Sequence, residues 1–121
     1  MTYDILIVDD EPDVRRVLSE IVKGAGWNAI EAGDGEQAID RIKQGGIDLV
    51  ILDIMMPQMD GLEAAHEMRK LSRELPIIVV TVKDDDTTKK MARKLYGVEY
   101  FITKPFPNQQ LVEAVKKVLQ L

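Results

Sequence analysis

There is no cysteine anywhere in the 121 residues, so disulfides and thiolate-held metals are both excluded. The same absence is compatible with a reducing, cytoplasmic setting. Long apolar runs are missing too, and none approaches the roughly 18 residues that a membrane-spanning helix needs. The first residues, MTYDILIVDDE, have no basic stretch ahead of the apolar one and reach acids almost at once, so no signal peptide is expected. Basic residues do not dominate: 16 stand against 21 acidic ones, a net charge of −5. That balance argues against nucleic acid as a direct ligand. Neither a G-x-G-x-x-G nor a P-loop signature occurs, which leaves a nucleotide-binding module without support. What is present, 45% apolar and 31% charged residues, has the proportions of a globular chain with a core of its own. Residues 1–121 read as one cytoplasmic domain with no linker, low-complexity segment or membrane contact.

Five short apolar runs rich in β-branched residues recur along the chain: DILIV at 4–8, WNAIEA at 27–32, DLVIL at 48–52, PIIVV at 76–80 and YFIT at 100–103. Stretches with helical apolar spacing separate them, for example Val14, Val17, Leu18, Ile21 and Val22. Strand and helix alternating in this way predict βα units, hence an α/β fold with a parallel sheet. The first, third and fourth runs are almost purely apolar and suit central strands covered on both faces; WNAIEA alternates more and suits an edge. Pro12 fits the first turn of a helix that Gly24 and Gly26 end. Asp34–Gln37 and Asp60–Glu63 both read as capping boxes. Asn108 is expected to cap the last helix, and Asp10 or Glu11 the first. The fourth helix, within DDTTKKMARKLYG, looks short, highly charged and weakly amphipathic.

In open α/β sheets the ligand crevice lies at the carboxyl ends of the strands. Here the first strand ends in Asp9, Asp10 and Glu11, the third in Asp53, the fourth in Thr81 and the fifth in Lys104 and Pro105. With the doubly wound order 2-1-3-4-5, Asp10 and Asp53 become neighbours about 4.8 Å apart. Thr81 is then one strand further, and Lys104 stands two strands, roughly 10 Å, from Asp53. Carboxylates crowded at one edge repel one another, and a hard divalent cation with oxygen ligands relieves this. Mg²⁺ is the natural choice, since it binds through few carboxylates and keeps waters.

The motifs ILIVDDEP (5–12), DLVILDIMMPQMDG (48–61), PIIVVT (76–81) and YFITKPF (100–106), in this order and spacing, resemble the receiver domain of bacterial response regulators over essentially the whole chain. The resemblance implies a single doubly wound (βα)5 domain of flavodoxin-like fold, residues 1–121. It implies two-component signalling, in which Asp53 accepts a phosphoryl group from a histidine kinase or phosphotransfer protein, with Mg²⁺ (Mn²⁺ as an alternative) as the metal. On the same resemblance Asp10 binds the metal directly, Asp9 acts through a coordinated water, and the backbone carbonyl of Met55 is a further ligand. Thr81 hydrogen-bonds the phosphoryl oxygens and Lys104 pairs with them. Phe101 is the aromatic switch residue, and the Lys104–Pro105 peptide is cis. The surface of the fourth helix, fifth strand and fifth helix would be read by an output partner, and the chain would be a monomer or a phosphorylation-dependent homodimer. Two positions depart from the family pattern. Val82 stands where a smaller Ala or Ser is usual, which would narrow access to Asp53, and Phe101 lacks a tyrosine hydroxyl.

Two rival functions remain compatible with the sequence. A magnesium-dependent aspartyl phosphatase would want an acid two residues after its nucleophile, where this chain has Met55. A phosphorylation-independent docking domain would not need every catalytic position filled. Several residues receive ordinary structural readings: KDDDTTKK (83–90) is a solvated loop and helix cap, the lone His66 a surface residue, and Trp27 a sheet-edge packing residue.

Overall fold

The computed structural model describes residues 2–55, 61–82, 85–98 and 100–121. Strands and helices alternate strictly: β1 Asp4–Val8, α1 Pro12–Gly24, β2 Asn28–Ala32, α2 Gly35–Lys43, β3 Leu49–Leu52, α3 Gly61–Leu71, β4 Ile77–Thr81, α4 Asp86–Tyr96, β5 Tyr100–Thr103 and α5 Asn108–Val118. All strand pairs are parallel, and the sheet order is β2-β1-β3-β4-β5. The fold is the flavodoxin-like arrangement expected.

Alternation along each strand sends side chains to two separate cores. Leu6, Val8, Val50, Leu52, Ile77 and Val79 face α2, α3 and α4, whose Ala38, Ala65, Met68 and Ala92 meet them. Ile5, Ile7, Leu49, Ile51, Ile78 and Val80 face α1 and α5, whose Leu18, Val22, Leu111 and Val115 complete the other layer. Central strands covered on both faces have no room for polar residues, which is why β3 and β4 are apolar and buried throughout up to Thr81. At the edge, β2 keeps Asn28 and Glu31 exposed, while Trp27 just before it is buried against the α1–α5 core.

The helix ends partly follow expectation. Pro12 opens α1, and Gly26 follows its end with φ +97. Asp34 accepts a hydrogen bond from the Gln37 N–H at 2.8 Å. The reciprocal arm of that box goes elsewhere, because Gln37 Oε1 takes the Gly33 N–H at 2.9 Å. Asp60 lies outside the described residues. Asn108 is not a cap: it is the first helical residue of α5, and Pro107 stands at the N-cap with no side-chain bond. No side chain caps α1 either; Asp9, two residues before Glu11, supplies Oδ1 to the Glu11 N–H at 3.0 Å. The fourth helix is better built than its composition suggests. Asp85 accepts from the Thr88 N–H at 3.0 Å, and Gly97 closes the other end in the left-handed conformation. Its buried face is nonetheless narrow, with only Thr88 and Ala92 buried.

Candidate functional site

Two backbone bonds bring the acids together. The Asp9 N–H reaches the Ala32 carbonyl of β2, and the Asp53 N–H reaches the Val8 carbonyl of β1 at 3.0 Å. These extend the sheet ladders just past the strand ends, so Asp9 and Asp53 leave neighbouring strands side by side. One oxygen from each of Asp9, Asp10 and Asp53 lies within 4.8 Å of the others. Asp9 and Asp53 are buried and Asp10 half-buried, in a place that strand geometry alone would leave repulsive.

Lys104 offsets part of that repulsion. From the end of β5 its ammonium crosses β4 and donates to Asp53 Oδ2 at 3.1 Å and to Asp9 Oδ2 at 3.1 Å. Its reach is longer than the two-strand span to Asp53, since Asp9 lies a strand further. Burial works against the charged ammonium, but the hydrogen bonds and attraction to Asp9 and Asp53 outweigh it and raise the Lys104 pKa. The chain is set for this crossing by the Lys104 N–H, which donates to the Thr81 carbonyl at 2.9 Å. The following peptide, Lys104–Pro105, is cis.

Asp53 Oδ1 accepts the Met55 N–H at 2.9 Å, and the Met55 side chain is exposed. Among the described residues, the Asp10 carboxylate takes no hydrogen bond and no ion pair. Three carboxylates against one ammonium leave two negative charges and an all-oxygen donor set, which fits a hard divalent cation such as Mg²⁺. Thr81 ends β4 fully buried opposite Thr103. Phe101 is half-buried against the core under α2, α3 and α4. Val82 projects outward with 62% of its surface exposed. His66 is exposed on α3, its ring edge-on to Tyr96 of α4 at 5.8 Å between centroids, and it stands apart from the acids.

Two residues were not picked out from sequence. A Cβ on Gly61 would sit 2.1 Å from Ile54 Cα and 2.7 Å from the Asp53 carbonyl, so only glycine lets α3 start against the segment that carries Asp53. Its signal was the DG pair before an apolar helical pattern, which speaks of a turn but not of a close approach. Arg15, on α1, donates to the Asp9 carbonyl at 2.7 Å. Nothing in the sequence separates it from the solvated arginine beside it.

A parallel five-stranded sheet of this order, with an acidic carboxyl edge and a lysine laid across it, defines the class. The chain belongs to the response regulator receiver domain family of two-component systems, whose model matches residues 5–116. Among curated relatives, the alkaline phosphatase synthesis transcriptional regulatory protein PhoP of Bacillus subtilis is 33% identical over 120 residues, covering 99% of this chain and 50% of that protein. The chain thus spans about half the length of that relative. Among solved structures, the response regulator TrrA of Thermotoga maritima, in complex with Mg²⁺ and BeF, is 36% identical with a TM-score of 0.84, covering 97% of this chain and 99% of that one. A response regulator of Chloroflexus aurantiacus is 32% identical with a TM-score of 0.91, and the match covers 100% of both chains. No helix among the described residues is long and apolar enough to cross a membrane.

Proposed function

We propose that Asp53 accepts a phosphoryl group from the phosphohistidine of a histidine kinase or phosphotransfer protein, in a reaction that requires Mg²⁺. The observation that carries this reading is the convergence of Asp9, Asp10 and Asp53 within 4.8 Å beneath the Lys104 ammonium. Asp10 and Asp53, with the Met55 carbonyl, would hold the metal, and Asp9 would act through a coordinated water. Mg²⁺ bound there supplies neutralisation of charge on the transferring oxygens. Mn²⁺ would serve in its place.

The chain's own groups do the rest. An Asp53 oxygen attacks phosphorus in line; the new O–P bond replaces the P–N bond, and the imidazole nitrogen leaves with its electron pair. The Met55 N–H on Oδ1 fixes the rotation of the carboxylate, so one oxygen is presented. Lys104 already contacts Oδ2 and shifts to the arriving phosphoryl oxygens, while Thr81 turns its hydroxyl toward them. The product adds nearly two negative charges at the end of β3. Thr81 moving toward it vacates space for the Phe101 ring, which re-shapes the α4–β5–α5 surface for an output partner, in the same chain or separate. In this role the domain is a phosphoacceptor, cytoplasmic, and a monomer or a homodimer formed on phosphorylation.

The test is label transfer from a phosphohistidine donor protein. One phosphoryl group per chain is expected, absent in Asp53→Asn and in excess EDTA. Transfer undiminished in Asp53→Asn contradicts the reading, and steady release of phosphate from small esters would favour a phosphatase instead.

A further inference from the structure

We infer that Arg15 is a positioning residue for the metal-binding carboxylates, acting through the peptide between Asp9 and Asp10. The inference rests on the functional reading above and extends it to a residue outside the acidic cluster. β2 pairs with β1 up to Val8 and Ala32, and the Asp9 N–H still reaches the Ala32 carbonyl. Beyond Ala32 the partner strand turns away: the Gly33 N–H is taken by Gln37 Oε1, and Asp34 opens α2. The Asp9 carbonyl therefore has no further ladder donor on β2, and Arg15 Nη1 fills that place at 2.7 Å.

The guanidinium is itself held. Its Nε pairs with Glu31 of β2 at 3.3 Å, and its side chain is only 18% exposed. A Cβ on Gly33 would come within 3.2 Å of Nη1, so the turn after β2 leaves room for this arm and little more. Because the peptide unit is planar, fixing the Asp9 carbonyl fixes the Asp10 N–H and the direction in which the Asp10 chain departs. Asp10 is the one member of the trio whose carboxylate has no partner of its own among the described residues. Its aim depends on the backbone, and Arg15 sets that backbone from a rigid helix.

Charge and positioning predict opposite signs. Arg15 is a cation near a cation site, so on charge alone its removal tightens Mg²⁺ binding; as a clamp its removal weakens it. The experiment is calorimetric titration of MgCl₂ into wild type, Arg15→Gln, Arg15→Lys and the double variant Arg15→Gln/Glu31→Gln, which leaves net charge unchanged. Amide spectra without metal report folding and the Asp10 N–H. We expect about 10-fold weaker Mg²⁺ binding in Arg15→Gln and in the double variant, with a shifted Asp10 amide and the rest of the sheet unperturbed. Arg15→Lys, which keeps the charge and loses the fork, falls between and serves as the measure should the glutamine variants not fold. Affinity equal to or tighter than wild type in the folded variants overturns the inference alone. A wild-type protein that binds no Mg²⁺ overturns the functional reading and this inference with it.

Discussion

Lys104 has two aspartates to itself and Asp10 has no partner among the described residues, so the two positions should respond oppositely to neutralisation. Without metal, Asp10→Asn removes a repulsive charge that no described side chain pairs with, and urea unfolding should show a gain of about 1 kcal/mol, together with loss of the stabilisation expected from Mg²⁺ in wild type. Lys104→Met leaves Asp9 and Asp53 buried without their cation, and the same measurement should show a loss of about 3 kcal/mol. The pH dependence follows from the raised Lys104 pKa. A cation favoured by the folded state stabilises in full below the ordinary lysine value of about 10.4, and the contribution is lost as pH rises through the higher folded value. Wild type and Lys104→Met should therefore differ by a constant amount through neutral pH and converge only in strong alkali. At position 82, the exposed valine should slow exchange at the site, and Val82→Ala is expected to speed hydrolysis of phosphorylated Asp53 about 3-fold, a barrier change of about 0.7 kcal/mol.

Among the elements, α4 is secured at its ends more than along its length. Asp85 caps its start through the Thr88 N–H and hydroxyl. At the other end Arg69 of α3 donates to the Tyr96 carbonyl at 2.6 Å and to the Ser72 and Leu75 carbonyls of the α3–β4 turn. Asp85→Ala should cost about 1 kcal/mol and show first as faster hydrogen exchange in the opening turn of α4. Arg69→Ala strips a charged donor from several carbonyls and should cost about 3 kcal/mol in urea unfolding. Strand positions were legible in the sequence because a strand buried on both faces must be apolar, and Pro12 and Gly26 marked the ends of α1 for steric reasons. The reach of Arg69 and Arg15 was not, since nothing in a sequence says which carbonyl a long side chain meets. Asn108 misled for a related reason: Pro107, with φ −67, already supplies the extended geometry that an N-cap needs, and the asparagine falls one place inside the helix.

On the scale of the whole molecule, the order β2-β1-β3-β4-β5 makes residues distant in sequence neighbours at one edge. Asp9, Asp53 and Lys104 are 95 and 51 positions apart from first and second to the last, yet one ammonium bridges both acids. That much of the site could be read in advance, because carboxylates at the ends of apolar strands are costly unless they serve a ligand. The packing that supports it, Gly61 against Ile54 and Arg15 on the Asp9 carbonyl, follows only from three-dimensional approach. Gly61→Ala should accordingly lose about 2 kcal/mol or more of stability and slow phosphoryl acceptance. The proposed function depends on this edge being a divalent-ion pocket built around Asp53. Its most direct test is intact-mass and peptide mass spectrometry of the protein after incubation with acetyl phosphate, with and without MgCl₂. One phosphoryl group is expected, on Asp53, formed only when Mg²⁺ is supplied; an unmodified Asp53 with Mg²⁺ present, or equal modification without it, would rule out such a pocket.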